Sequence, residues 1–461
     1  MENNKQIELM ANAPVNKAIF KLSIPVVCGM MVQVLYNLVD TFFVGKLGDA
    51  NQLAAANITS PVFMMLLAIA TIVSTGAASY ISRCIGSGDT EKASNTLSTG
   101  FFICTTLAVL VGAVGLIFLK PLIGLLAADQ GVFPYAYSYT FTILCGSIPI
   151  MLSYTGGQLI RAEGAAMASI KGMVAGTLTN IILDPIFIFV FDMGITGAGI
   201  ATVIANIVAL LVHLRFYLSD KSVLKLNVKG ISFAGDIWGQ TFAIGTPSAL
   251  SQVLISVALV VCNNLIRGYP DSANILAGMG IVSKLNYIGT FIFMGFAAGC
   301  QPLVGYNFGS NNIPRVKKII KSAMLITLGV GVVLFAVFGV GAPLLVGLFS
   351  PLEPVVSWGV RILRVQMFMF LWLGPQMIAT TSLQALGRAF ASLLLSVARQ
   401  GVFFIPILLE ANSLFGLNGI FAAQPAADLL TLALGGALLG LFIKRVRDKG
   451  ATKGDCPQRL S

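Results

Sequence analysis

Long runs of apolar residues, each closed by a short polar stretch, recur along all 461 residues of the chain. About 20 apolar residues suffice for a helix to cross a bilayer. The runs are continuous and lack the two-residue alternation of a membrane barrel strand. They predict twelve helical spans, near 18–46, 53–81, 93–120, 133–156, 164–191, 196–218, 238–267, 274–304, 317–349, 356–385, 388–411 and 418–443. The expected fold class is an all-α polytopic membrane protein. Within the first run, LSIPVVCGMMVQVLYNLVDTFFVGKLG at 22–48, the polar residues are ordered. Gln33, Tyr36 and Asn37 precede Asp40 by seven, four and three positions, which gathers all four on one helical face. Pro25 and Gly29 lie on the turns before them and form a hinge, since Pro removes a backbone hydrogen bond and permits a bend.

The longest polar connection, 219–236, follows span six and holds Lys221, Lys225 and Lys229. It divides the chain into an N-terminal six-helix lobe (1–218), a cytoplasmic linker (219–236), a C-terminal six-helix lobe (237–443) and a tail (444–461). The lobes read as copies. A shift of 223 pairs Leu53-Ala54 with Leu276-Ala277, Gly76 with Gly299, Gly86-Ser87 with Gly309-Ser310, Gly164 with Gly387, and Ala168-Ser169 with Ala391-Ser392. Six spans per copy, an even number, give both copies the same orientation. The pseudo-twofold axis then runs along the membrane normal, with a substrate cavity between the lobes. At this shift Asp40 falls opposite Asn263, so the carboxylate exists in the first copy only and the ionic chemistry is assigned to the N-terminal lobe.

Composition excludes a soluble chain: 56% of residues are hydrophobic and 10% charged. The net charge of +11 is explained by basic residues flanking the spans, not by nucleic acid. Of 29 Lys and Arg, 22 lie in the N-terminus, the loops after even-numbered spans and the tail; five (Lys46, Lys120, Arg267, Arg361, Arg364) lie on the other side, and Lys284 and Arg399 lie inside spans. That excess places both termini in the cytoplasm of a multi-pass cell-membrane protein. The N-terminal 20 residues have no signal-peptide pattern. The seven cysteines, without a CxxC pair, read as small core residues, and neither disulfides nor a metal cluster is inferred from them. GSGD at 86–89 lacks the GK[ST] ending and preceding strand of a phosphate loop, so no nucleotide, cofactor or enzymatic activity is expected.

A carboxylate in hydrocarbon costs roughly 2.5 to 3.5 kcal/mol or more, so one that is kept marks a working interior. Besides Asp40, span five offers TLTNIILDPIF. Asn180 and Asp184, four apart, share a face, and Pro185 leaves the Ile181 carbonyl without its helical donor. Carboxylate, amide and free carbonyl suit a proton or a hard cation such as Na⁺. Asp428 in span twelve reads equally as a second-lobe site or a helix-to-helix bond. Lys284 and Arg399 read as cations paired to a carboxylate or carbonyl, or snorkelling. The lone His213 is expected at the interface. Met30, Met31, Met64 and Met65 suit a cavity that adapts to varied apolar ligands; Gln33, Met31, Met64, Gln252, Asn263 and Lys284 are the candidate cavity residues.

LVDTFFVGKLG at 38–48, LAAANITSP at 53–61, IGSGDTEKA at 85–93 with its counterpart FGSNNIPRV at 308–316, and RAEGAAMAS at 161–169 together resemble the multidrug and toxic compound extrusion (MATE) family over about residues 15–445. The resemblance implies a cation-driven antiporter of twelve helices in two bundles, exporting cationic amphipathic drugs and dyes by alternating access in exchange for H⁺ or Na⁺. It implies a coupling site of Asp40, Asn180 and Asp184, with Tyr36 and Asn37 as neighbours by helical face and Thr202 and Asn206 of span six closing it. The partners expected are small cationic compounds and membrane lipid, with the protein as a monomer. A lipid-linked oligosaccharide flippase shares such an architecture, and is the alternative; it would need a more cationic cavity than Lys284 and Arg399 supply.

Overall fold

The computed structural model describes residues 2–46, 49–126, 129–233 and 235–452, apart from a few side chains within those ranges. Among the described residues all regular structure is helical. The chain forms α1 (Glu2–Ala11), α2 (Val15–Gly45), α3 (Ala50–Gly86), α4 (Thr90–Ile117), α5 (Leu119–Leu125), α6 (Phe133–Cys145), α7 (Ser147–Ala162), α8 (Ala166–Pro185) and α9 (Gly194–Tyr217). After the 219–234 connection come α10 (Gly235–Arg267), α11 (Ser272–Gly309), α12 (Ile313–Val340), α13 (Ala342–Gly347), α14 (Glu353–Gln366), α15 (Met369–Ala385), α16 (Ala389–Val397), α17 (Ile405–Phe415) and α18 (Leu417–Thr452). Ten of these stretches are long and apolar enough to cross a membrane singly. Two bent pairs, α6 with α7 at 54° and α14 with α15 at 48°, bring the number to twelve. The protein is therefore a multi-pass membrane protein.

Two departures from the hydropathy reading come from local chemistry. Spans four and ten are each broken, at Gly146 and at Met367–Phe368, where a run of apolar residues hides a change of direction. Span nine stops at Val340, not near 349, because Gly341 and Pro343 end one helix and start the short α13. The short α5 occupies the equivalent place after span three.

The duplication is legible in the backbone. Gly88 and Asn311 both take a left-handed conformation, φ 84° and 59°, and Gly164 and Gly387 do the same at 86° and 72°. Each of the first two is followed by a helix N-cap: the Asp89 side chain accepts from the Lys92 amide, and the Asn312 side chain accepts from the Arg315 amide. GSGD at 86–89 is thus a helix-to-helix turn.

Between the lobes, the close contacts lie at the end carrying the 219–234 connection, called here the linker end. A Cβ at Gly86 would overlap the Tyr306 carbonyl, and one at Gly309 would overlap the Arg83 carbonyl. These two contacts exchange under the 223 shift, so the pseudo-twofold axis passes between the ends of α3 and α11. At the same end α2 sends Val15, Ala18, Ile19, Leu22, Val26 and Met30 into a core built mainly by second-lobe helices, with Phe296, Leu303, Ile319 and Leu383. Met30 is therefore a packing residue and not a cavity residue.

Candidate coupling site and cleft

Hydrogen bonds that cross between the lobes seal the linker end. The Arg83 guanidinium donates to Gln240 Oε1 at 2.9 Å and Ser79 donates to the Gln384 carbonyl, while within the second lobe the Gln384 amide donates to Ser248 Oγ at 3.1 Å. Outside them Lys92 pairs with Asp236 at 2.6 Å, and the Tyr80 hydroxyl donates to the same carboxylate at 3.1 Å. The inner part of α10 is accordingly buried at Thr241, Ile244, Gly245 and Pro247. Beyond Ser248 many of its side chains are exposed, Gln252, Val253, Ile255 and Ser256 among them, while Ala258, Cys262 and Ile266 pack into the second-lobe core. The lobes meet at one end and part toward the other, leaving a cleft flanked by α2, α3, α10 and α11.

All six candidate cavity residues lie on those four helices, outward of the interlobe contacts named above. Met64, Gln252 and Lys284 are exposed, and Met31, Gln33 and Asn263 are half-buried. A cleft of Met, amide and apolar groups with one ammonium can receive amphipathic compounds of varied shape.

In the first lobe α8 carries Asn180 and Asp184 on its buried face, 1% and 0% exposed. The Asn180 amide donates to Asp184 Oδ1 at 3.2 Å. Pro185 has no N–H to give, and the helix passes into widened turns over Ile186–Val190. The Thr202 side chain is buried on α9. Asn206 is held by other partners: its amide donates to the Thr202 carbonyl at 2.9 Å, and its Oδ1 accepts from Ser153 of α7 at 2.7 Å.

Asp40, Tyr36 and Asn37 lie on α2, but their side chains are outside the described residues. The course of the helix still fixes a depth. Gly29 packs directly on Met173 of α8, and the Phe43 ring lies 6.3 Å from that of Phe189. Positions 40 and 184 each follow the first contact by eleven residues, about 16 Å along helices that run the same way. They are at the same depth. α2 is one continuous helix through Pro25 and Gly29.

The other buried polar residues fall into two groups. Asp428 and Arg399 find each other, Nε to Oδ1 at 2.8 Å. His213 is not at an interface, as its position near a span end suggested. It is 2% exposed, its Nε2 donates to the Ser169 carbonyl at 3.1 Å, and a Cβ at Gly172 would overlap its ring. Gly156 and Gly157 wall the same ring. Small residues facing one imidazole across two helices were the signal that hydropathy could not weigh.

A residue missed from the sequence is Glu163, just past α7. It is fully buried and holds the lobe-to-lobe connection: both its oxygens lie within 3.1 Å of Ser222 Oγ, and its Oε2 accepts the Val223 and Leu224 amides at 3.0 and 3.2 Å. Burial pushes its carboxyl up to about 8, against hydrogen bonds that pull the other way.

Duplicated six-span lobes, a cleft between them and a buried carboxylate within the spans of each lobe define a transporter architecture. The MatE family model matches twice, at 25–186 and 247–408, the second match offset by 222 residues from the first. The chain belongs to the MatE family. It is 32% identical over 447 residues to the multidrug export protein MepA of Staphylococcus aureus, covering 96% of this chain and 97% of that one. It is 30% identical to MepA of Staphylococcus saprophyticus over 445 residues, again 96% and 97% of the two chains. A solved structure described as the outward-facing conformation of a multidrug resistance MATE family transporter superposes with TM-score 0.91 at 25% identity, over 96% of this chain and 99% of that one.

Proposed function

We propose that the chain is a multidrug efflux antiporter that exports cationic amphipathic compounds in exchange for H⁺ or Na⁺ by alternating access. The observation that carries the reading is the buried Asn180–Asp184 pair, at the depth of position 40 and beside a cleft sealed at one end only. Export by the similar MepA proteins supports the transport direction. The linker end carries most of the Lys and Arg, which assigns it to the cytoplasm. The state described here is then open outward. Cation uptake at Asp40 and Asp184 drives drug out of the cleft. The lobes next rock to open the linker end, where the ion leaves and the next drug enters. Exchange of a monocationic drug for one proton moves no net charge, so one unit of pH difference sustains about a tenfold drug gradient. The protein acts as a monomer in lipid.

The test is ethidium efflux from proteoliposomes with a pH gradient or a Na⁺ gradient imposed separately. One gradient should drive efflux in the wild type. Asp184→Asn and Asp40→Asn should lose at least 90% of it while staying folded in the membrane. Undiminished efflux from Asp184→Asn would refute the assignment.

A further inference from the structure

The second lobe holds a buried acid that the transport cycle above does not use. Asp428, near the middle of the span Leu417–Phe442, is 0% exposed. Its Oδ1 receives Arg399 Nε at 2.8 Å and Gln424 Nε2 at 3.1 Å, while its Oδ2, also buried, has no hydrogen-bond partner among the described residues. Arg399 lies near the middle of the neighbouring span, in the widened turns Ala398–Phe404, with its side chain 17% exposed.

A helix-to-helix tie does not require charge. Asn206 and Ser153 tie α9 to α7 with neutral groups. Two charges taken out of water are costly even when paired, and a well-packed apolar replacement of such a pair is often neutral or stabilising. The pair therefore calls for a reason other than strength. The pair itself suggests one: the second-lobe carboxylate receives a guanidinium fixed to the chain, and its other oxygen is left open. A guanidinium at 2.8 Å supplies the charge that an exchangeable cation would otherwise bring, and it cannot leave.

We propose that Arg399 is a tethered cation that fills a latent cation site at Asp428 and so keeps the second lobe out of ion exchange. Without the guanidinium, the site has a carboxylate with one open oxygen and the Gln424 amide beside it, a donor set for H⁺ or a small monovalent cation. The inference rests on the antiport reading, but one of its readouts does not.

The experiment uses full-length protein as wild type, Arg399→Met, Arg399→Lys and the double variant Arg399→Met/Asp428→Asn. Protons moved per ethidium are counted in proteoliposomes, and Tm is followed against pH in detergent. Arg399→Met should move one further proton per ethidium. Its Tm should fall below that of the wild type progressively as pH rises, because the buried carboxyl must hold a proton to stay neutral. Arg399→Lys keeps a tethered cation and should match the wild type in both readouts, as should the neutral double variant. Wild-type proton count and pH dependence in a folded Arg399→Met would overturn the proposal. So would a double variant that fails to move ethidium, folded or not, since it would place the pair against the drug or make it indispensable. If Arg399→Met is not recovered folded, a double variant with wild-type behaviour carries the proposal. A wild type that exchanges no proton sinks the antiport reading alone, because the Tm readout stands without transport.

Discussion

Replacing Glu163 tests how the connection between the lobes is held. Both amides reach Oε2, at 3.0 and 3.2 Å, while Ser222 Oγ sits 3.1 Å from Oε1 and donates to the Leu224 carbonyl at 2.8 Å. A protonated acid fits this arrangement: Oε1–H donates to Ser222, Ser222 donates to Leu224, and Oε2 takes both amides. Glu163→Ala leaves the Val223 amide without its acceptor and the Leu224 amide with Ser222 Oγ alone, at 3.2 Å. A buried donor left unsatisfied costs about 1 to 3 kcal/mol, so the Val223 amide together with the weakened Leu224 amide amounts to at most about 3 kcal/mol. That is a shift of up to somewhat over a hundredfold in the opening of the stretch. Hydrogen exchange at Val223 and Leu224 should speed up by up to that order, and exchange within threefold of the wild type would refute the clasp. The pH dependence has a definite sign. The folded carboxyl titrates at about 8 and the ordinary value is 4.5, so the folded protein keeps a proton that the unfolded chain has released. The contribution to stability is full below 4.5 and is lost as pH rises through 8. Glu163→Gln cannot titrate, and the wild-type-minus-variant difference in Tm should shrink across that window.

Two further perturbations act on the seal between the lobes. Gly309→Ala would set a Cβ into the backbone carbonyl of Arg83, where no side chain can swing aside, so the linker ends must move apart. Spin labels on the inner ends of α3 and α11 should report a longer mean distance, and an unchanged distribution would contradict the close approach. Asp236→Asn breaks the pair with Lys92, whose members are 45% and 38% exposed, so the effect should stay below about 1 kcal/mol. The same labels should show at most about a fivefold gain in the linker-open population, and high salt should give the wild type the same shift.

Hydropathy located the spans because bilayer thickness demands long apolar runs whatever their neighbours. It could not see the breaks at Gly146 and Met367–Phe368, since apolar residues continue through a bend inside protein. The 223-residue shift was recoverable because the turns need particular residues: left-handed positions fall on Gly88, Asn311, Gly164 and Gly387, and the caps on Asp89 and Asn312. Asn180 and Asp184 were legible through their four-residue spacing, which makes a helical contact by itself. Arg399 and Asp428 were each recognised as costly, but their pairing joins different spans 29 residues apart. Glu163 escaped notice because a Glu between two helices looks solvated until the connection 60 residues later folds over it. His213 misled for the opposite reason: a span-end position implied water, and only the facing glycines reveal the socket. Cys456 falls outside the described residues.

On the proposed antiport reading, the packing of α2 is what would link ion binding to movement of the lobes. Its inner half, Val15 to Met30, is part of the core made with α11, α12 and α15, so it travels with the second lobe. Its outer half lies along α8, against Met173 at Gly29 and Phe189 at Phe43, and carries position 40 past Asp184. One helix therefore belongs to both lobes, and Pro25 and Gly29 stand where the two memberships meet. The arm from Gly29 to Gly45 is about 24 Å long. A change of about 10° in the bend at its base would carry its tip about 4 Å, enough to change what touches Asp184 and how wide the cleft stands. α10 is built on the same plan, packed on α3 at Thr241 and Gly245 and running outward past Gly401 beside Arg399. There the neighbouring acid already has its cation. On the antiport reading, α2 is the arm that passes Asp184, and α10 is the arm whose neighbouring acid is held by Arg399.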